Sequence, residues 1–105
     1  MDEYIFTYIT CESPAQAEQI GTVLVEENLA ACANVFPTSV SIYKWQGQLQ
    51  KSEEAIVLLK TRFSYFEKIE ARVKELHSYD VPCILSFPIV QGSEEFLSWV
   101  KTQTL

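Results

Sequence analysis

Ala30–Arg62 reads AACANVFPTSVSIYKWQGQLQKSEEAIVLLKTR, and the pattern in this stretch decides the fold. Val40 and Ile42 fall on one side of the chain, Ser39, Ser41, Tyr43 and Trp45 on the other. That is the two-residue period of a β-strand. Gln46-Gly47 then offers a tight reversal, because glycine takes a positive φ at no steric cost. Beyond it, Ala55-Ile56-Val57-Leu58-Leu59 is apolar on both faces, as the strands inside a sheet are. The stretch is therefore expected to form one long β-hairpin, with the shorter pieces on either side arranged to cover it.

The length of this hairpin has a consequence. As one strand, Ala30 to Trp45 at roughly 3.3 Å per residue would reach about 50 Å. A compact domain of this size has a radius of gyration near ~13 Å and a diameter of about 33 Å. Either Pro37 and a bulge break the strand, or the hairpin overhangs its own domain. An overhang carrying Tyr43, Trp45 and Leu49 near its tip needs another surface to rest on, which points to an oligomer.

Working outward, Tyr4–Thr10 is rich in β-branched and aromatic residues and is expected to be an interior strand. Ser13-Pro14-Ala15-Gln16 starts a helix, with Ser13 as cap, Pro14 where its missing N–H does no harm, and Gln16 completing a capping box. Ala17, Ile20, Gly21 and Leu24 share one face of that helix, and Asn28 is a plausible left-handed stop. After the hairpin, Ser64-Tyr65-Phe66-Glu67 has the form of a second capping box, and Phe66, Ile69, Val73 and Leu76 form the buried stripe of a second helix. Val81-Pro82 forces an extended backbone. Cys83–Val90 is then an apolar strand that Pro88 assigns to an edge or a bulge. Ser93 caps a last helix that has Glu94 and Glu95 in its first turn, where negative charge is favoured. The order strand, helix, strand, strand, helix, strand, helix predicts an α+β chain: a ferredoxin-like βαββαβ sandwich with a long hairpin joining its second and third strands and an extra C-terminal helix. Helices on one side leave the other face of the sheet to be covered. Val40, Ile42, Ile56 and Leu58 make a wet face there improbable and again point to self-association.

The chain has 105 residues, 48% hydrophobic and 12% aromatic. That is enough for one ordinary domain, expected over residues 1–105, with a real core. A net charge of −6 makes nucleic acid and anionic membrane poor partners. The opening MDEYIFTYIT lacks the basic region and long apolar run of a signal peptide, and no stretch approaches the length of a membrane span. Three cysteines, Cys11, Cys32 and Cys83, are an odd number without a C-x-x-C pair. They do not form a disulfide framework, and a reducing cytoplasm is their simplest setting.

Catalytic signatures are absent: there is no Gly-rich phosphate loop, no H-E-x-x-H, no zinc knuckle and no G-x-S-x-G. A nucleophilic arrangement would have to use the single histidine, His77. At the end of a helix, His77 has a bland role beside the helix dipole and a functional one as a soft-metal ligand, since imidazole and thiolate are what copper prefers. Cys32 and Cys83 are read first as small core residues. A metal site would need two such groups to meet, within the chain or across subunits. Glu54 and Lys60 share a face of the second hairpin strand, either as edge solubilisers or as a pair in a cleft between subunits. Trp45 at the tip is foremost a packing anchor.

Four segments, in order and in register, resemble the CutA divalent-cation tolerance family: Leu29–Asn34; Ser41-Ile42-Tyr43 with Trp45, Gly47 and Leu49; Glu54 with Leu58-Leu59-Lys60-Thr61; and His77–Pro82. The resemblance implies a ferredoxin-like protomer in a tight homotrimer, cytoplasmic and non-catalytic, linked to copper and other divalent metals. It also implies an inter-subunit cleft lined by Cys32, Trp45, Glu54, Lys60, His77 and Tyr79. Two positions depart from the family's H-P-Y-[ED]-x-P-E segment. Ser78 replaces Pro, and Cys83 replaces Glu, exchanging a hard oxygen for a soft sulfur that favours Cu(I) or zinc. The expected metal ligands are thus His77, Cys32 and Cys83, with Trp45, Glu54, Lys60 and Tyr79 lining the cleft and no organic cofactor. Two other readings are a PII-like trimer that binds a small signalling molecule in the cleft, and a structural or protein-anchoring trimer.

Overall fold

The computed structural model describes residues 3–105; Met1 and Asp2, the first of the two acids that open the chain, lie outside the described residues. The elements are β1 (Tyr4–Cys11), α1 (Pro14–Glu26), β2 (Cys32–Trp45), β3 (Gln48–Arg62), a 3-10 turn (Phe63–Tyr65), α2 (Phe66–Leu76), β4 (Ile84–Pro88) and α3 (Glu94–Gln103). The four strands form one antiparallel sheet in the order β2-β3-β1-β4. This is the expected α+β, ferredoxin-like arrangement, with β1 and β3 interior and Pro88 at the end of an edge strand.

Local chemistry explains most boundaries. The Ser13 hydroxyl accepts the Gln16 N–H at 3.1 Å, while the Gln16 side chain accepts the Glu12 N–H at 3.2 Å, so the first helix is capped reciprocally. Asn28 ends it in the left-handed region, at φ 61°. The hairpin turn places both Gln46 (φ 51°) and Gly47 (φ 79°) at positive φ, the primed geometry that matches the twist of the strands. The second capping box does not form. α2 follows a 3-10 turn, Tyr65 occupies the cap position, and no side-chain cap bond is made there. The last strand, Ile84–Pro88, is also shorter than Cys83–Val90, although the Ile89 N–H just beyond it still donates to the Tyr4 carbonyl at 2.9 Å.

One face is buried along β1, and along β3 from Ala55 onward. Ile9, Val57 and Leu59 lie under α1 and α2, against Ile20, Leu24, Ile69 and Val73. Gly21 lets α1 approach the sheet, since a Cβ there would stand 2.9 Å from the Cβ of Ala33. The opposite face carries Phe6, Tyr8, Ile56 and Leu58, flanked by Phe36 on β2 and by Leu85 and Phe87 on β4, which the cross-strand register sets on the same side. α3 covers only one end of this face: Arg62 donates to the Thr104 carbonyl and, at 3.0 Å, to its hydroxyl, and Lys60 lies over the Phe96 ring. Phe36 stays 48% exposed and Leu85 51%.

The strand is both broken and overhanging. Phe36 pairs with Ile56 and Ser39 with Glu54, so β2 uses three residues where β3 uses two. This bulge at Pro37-Thr38 reverses the parity of β2. Val40 and Ile42 therefore do not join Ile56 and Leu58 on the open face, as the alternation alone predicts. They point to the helix side, beyond the reach of the helices, and Ile42 is 67% exposed. The long axis of the chain measures 45 Å against 25 and 22 Å across, with a radius of gyration of 14.3 Å.

Candidate functional site

Where the distal hairpin passes the loop between α2 and β4 there is a cleft of about 720 Å³. After the bulge, Ser41, Tyr43 and Trp45 share the face of Ser52 and Glu54 on β3. The end of β1 contributes Thr10 and then Glu12, and the loop contributes Tyr79, Asp80 and Cys83.

His77 holds that loop in place. As the C-cap of α2, it leaves the helix in extended geometry. Its Nε2 donates to the Thr10 carbonyl at 2.7 Å, and its Nδ1 accepts the Tyr79 N–H at 3.1 Å. The two rings also pack, with centroids 4.7 Å apart. Tyr79 is thereby directed across the cleft, where its hydroxyl donates to Glu54 Oε2 at 2.8 Å. The Ser41 hydroxyl donates to Glu54 Oε1 at 2.5 Å. The carboxylate is thus fixed from two sides, by the loop and by the neighbouring strand.

The cleft has a negative field. Burial, followed by the bond to Glu54 and the charges of Glu54 and Glu12, pushes the Tyr79 phenol up to about 12, so it stays a donor. Burial raises Tyr8, and Cys83 and Glu54 add to it. Burial also raises the Cys83 thiol; the hydrogen bond with Thr10 opposes this and Glu54 reinforces it. Cys11, on the buried face of β1, is pushed up to about 11, first by burial and then by Glu54 and Glu12.

Of the residues singled out in the sequence, the structure brings Trp45, Glu54, Tyr79 and Cys83 to one cleft. Lys60 is not among them: six residues from Glu54 along β3 is roughly 20 Å, and its ammonium donates to Asn34 Oδ1 at 2.8 Å instead. Cys32 pairs with Lys60 at one edge of the sheet, whereas Cys83 adjoins the Ile84–Ile9 pair at the other. Strand spacings put the two thiols on the order of 20 Å apart. Both ring nitrogens of His77 are engaged within the chain. Among the described residues no group of three His, Cys, Asp or Glu side chains is placed to hold a metal ion, so one chain does not assemble a site from His77, Cys32 and Cys83. Sequence reasoning missed Thr10, Glu12 and Asp80. Their only signal was adjacency to the end of a strand or to the His77 loop. Tyr43 was legible as a face-mate of Trp45.

Comparison with known proteins settles the family. Residues 5–103 match the family model described as CutA1 divalent ion tolerance protein. The chain belongs to the CutA family. It is 43% identical over 104 residues to the divalent-cation tolerance protein CutA of Thermus thermophilus, covering 99% of each chain. Among solved structures, it superposes on the periplasmic divalent cation tolerance protein CutA of Archaeoglobus fulgidus with a TM-score of 0.94 at 38% identity, over 97% of this chain and 99% of that one. The divalent ion tolerance protein CutA1 of Ehrlichia chaffeensis gives a TM-score of 0.94 at 28% identity, over 100% and 98%. The family names supply divalent-cation tolerance as the functional class. Among the described residues, no helix is long and apolar enough to cross a membrane.

Proposed function

We propose that this CutA-family chain acts as a non-catalytic homotrimer that binds copper or another divalent ion between its subunits. The observation that carries the reading is the apolar surface one chain leaves without cover. Phe36, Leu85 and Phe87 are exposed on the open sheet face, and Val40, Ile42 and Leu49 on the overhanging hairpin. Exposed apolar side chains grouped in this way on each face of the sheet mark interfaces, and strands that overhang by half their length fit pairing with neighbouring copies. In this reading donors from a second subunit complete the set, since the described residues of one chain do not group three His, Cys, Asp or Glu side chains.

In that reading the Cys83 thiol, the soft donor lining the cleft, is the first ligand. Cys32, on the open face, is the donor a neighbour would present. His77 joins only by exchanging its Tyr79 or Thr10 bond for the metal. Free thiols at Cys11, Cys32 and Cys83 support a cytoplasmic setting, which fractionation of cells expressing the protein checks.

Native mass spectrometry of the reduced protein, with and without copper, tests the reading. Three 12.0 kDa chains give a species of about 36 kDa, and copper is expected to add in whole numbers, with the gain reduced by Cys83→Ala. A trimer that takes up no metal removes the copper reading and leaves the assembly. A 12 kDa monomer removes both.

A further inference from the structure

The cleft is larger than a metal ion alone requires. Six waters at about 30 Å³ each make a hydrated cation of roughly 180 Å³, and the cleft holds about 720 Å³. Such volumes accommodate organic ligands. Three carboxylates line it from the face of Tyr43 and Trp45, those of Glu12, Glu54 and Asp80, and no Lys or Arg is among its described lining residues. The carboxylates are spread along the cleft and do not converge on one point. Between them stand three aromatic residues, Tyr43, Trp45 and Tyr79, and Trp45 is 63% exposed in the single chain.

Separated negative charges interleaved with aromatic faces complement separated positive charges joined by apolar links. We propose that this cleft binds a linear aliphatic polyamine. Its ammonium groups sit among the carboxylates, and its methylene segments lie on Trp45 and Tyr43. An ammonium within about 6 Å of an indole or phenol face is held by the ring quadrupole as well as by the carboxylates. A point-charge metal ion gains nothing comparable from the methylene-binding surface. Glu54 is set for this role, because the Ser41 and Tyr79 hydroxyls fix both its oxygens and keep it aimed across the cleft. This proposal takes only the cleft from the preceding reading, and needs neither copper nor a particular subunit number.

Isothermal titration of the assembled, copper-free protein with spermidine tests it. Saturable binding is expected that persists when magnesium is present at equal charge, and that weakens at least tenfold in both Trp45→Ala and Glu54→Gln. Asp80→Asn, in an exposed loop, supplies a third variant if Trp45→Ala disturbs assembly, with a severalfold loss expected. No heat of binding, full displacement by magnesium at equal charge, or equal affinity in wild type, Glu54→Gln and Asp80→Asn would overturn the proposal. Spermidine binding by a protein that takes up no copper leaves this site standing and removes the metal reading. Copper uptake without spermidine binding does the reverse.

Discussion

The two halves of the β2–β3 hairpin are both regular antiparallel strand and both rich in apolar side chains, yet they meet different surroundings. In the basal half, Ala55, Val57 and Leu59 have no exposed surface. In the distal half, Ile42 and Leu49 keep 67% and 73% of theirs. The cause is geometric. α1 has 13 residues, about 20 Å of helix, and β3 has 15, about 50 Å of strand. One helix covers less than half of the strand it packs on, and the bulge at Pro37-Thr38 marks where the cover ends. Alternation tells which side chains share a face; only the lengths of neighbouring elements tell whether that face has a partner in the same chain. The distal half also carries Trp45, Tyr43 and Glu54, so the candidate site lies on the part of the chain that its own core does not use.

Ile42→Glu should break this comparison most sharply. At its exposure the substitution should cost the fold of one chain no more than about 0.5 kcal/mol. In the proposed trimer it buries an unpaired charge, at several kcal/mol. Light scattering behind size exclusion should show a species of about 36 kDa replaced by one of 12.0 kDa, with the circular dichroism of the folded chain retained. An intact trimer would show that the distal strand faces water. Ile20→Ala tests the basal half. Ile20 is fully buried between α1 and the sheet, so the loss should be about 2–5 kcal/mol, read as a lower midpoint in guanidinium unfolding with the assembly state unchanged at low denaturant.

What was legible in the sequence follows the same division. The first helix could be read to the residue, because Ser13, Pro14, Gln16 and Asn28 each act through the backbone beside them. The second helix start was misread: Ser64-Tyr65-Phe66-Glu67 has the residues of a capping box, but the chain leaving β3 first makes a 3-10 turn at Phe63–Tyr65. The facing of Val40 and Ile42 was misassigned, since a single bulge residue inverts every side chain after it and Pro37 gives only a hint of where. At the site, Trp45, Glu54, Tyr79 and Cys83 line one cleft of the chain. Lys60 and Cys32 stand apart from it, because sharing a face says nothing about separation along a strand. The role of His77 was invisible, since the Thr10 carbonyl that receives its proton lies 67 positions away in sequence.

Gly21→Ala is the next smaller test, and it sharpens the account of the basal half. Alanine is the better helix former by about 1 kcal/mol, so an open site would be stabilised. Here the new methyl carbon would stand 2.9 Å from the Ala33 Cβ, and both atoms are fixed to backbone. The helix must move off β2. Overpacking of this kind costs about 1–3 kcal/mol, and a net loss of roughly 1 kcal/mol in chemical denaturation is expected. A stabilised protein would mean that α1 rests on the sheet less tightly than the contact shows. The double substitution with Ala33→Gly should recover most of the packing loss, because it removes the atom that is struck.

The smallest effect should come from Tyr79→Phe, which joins the two regions at one bond. It deletes the hydroxyl that crosses the cleft to Glu54 and leaves the ring against His77. Glu54 keeps its Ser41 bond, so the loss should be about 0.5–1.5 kcal/mol. The same bond has a pH signature. The phenol is pushed up to about 12 in the folded chain from an ordinary value of 10.0, so the folded state holds its proton more tightly than the unfolded state does. The contribution is then complete below pH 10 and declines as pH rises toward 12, because over that interval the native state binds more protons. Wild type should lose stability relative to Tyr79→Phe across this window, so its advantage over the variant should shrink steadily as pH rises. An unchanged difference between them would mean that the phenol titrates alike in both states, and that the hydroxyl points to water instead of Glu54.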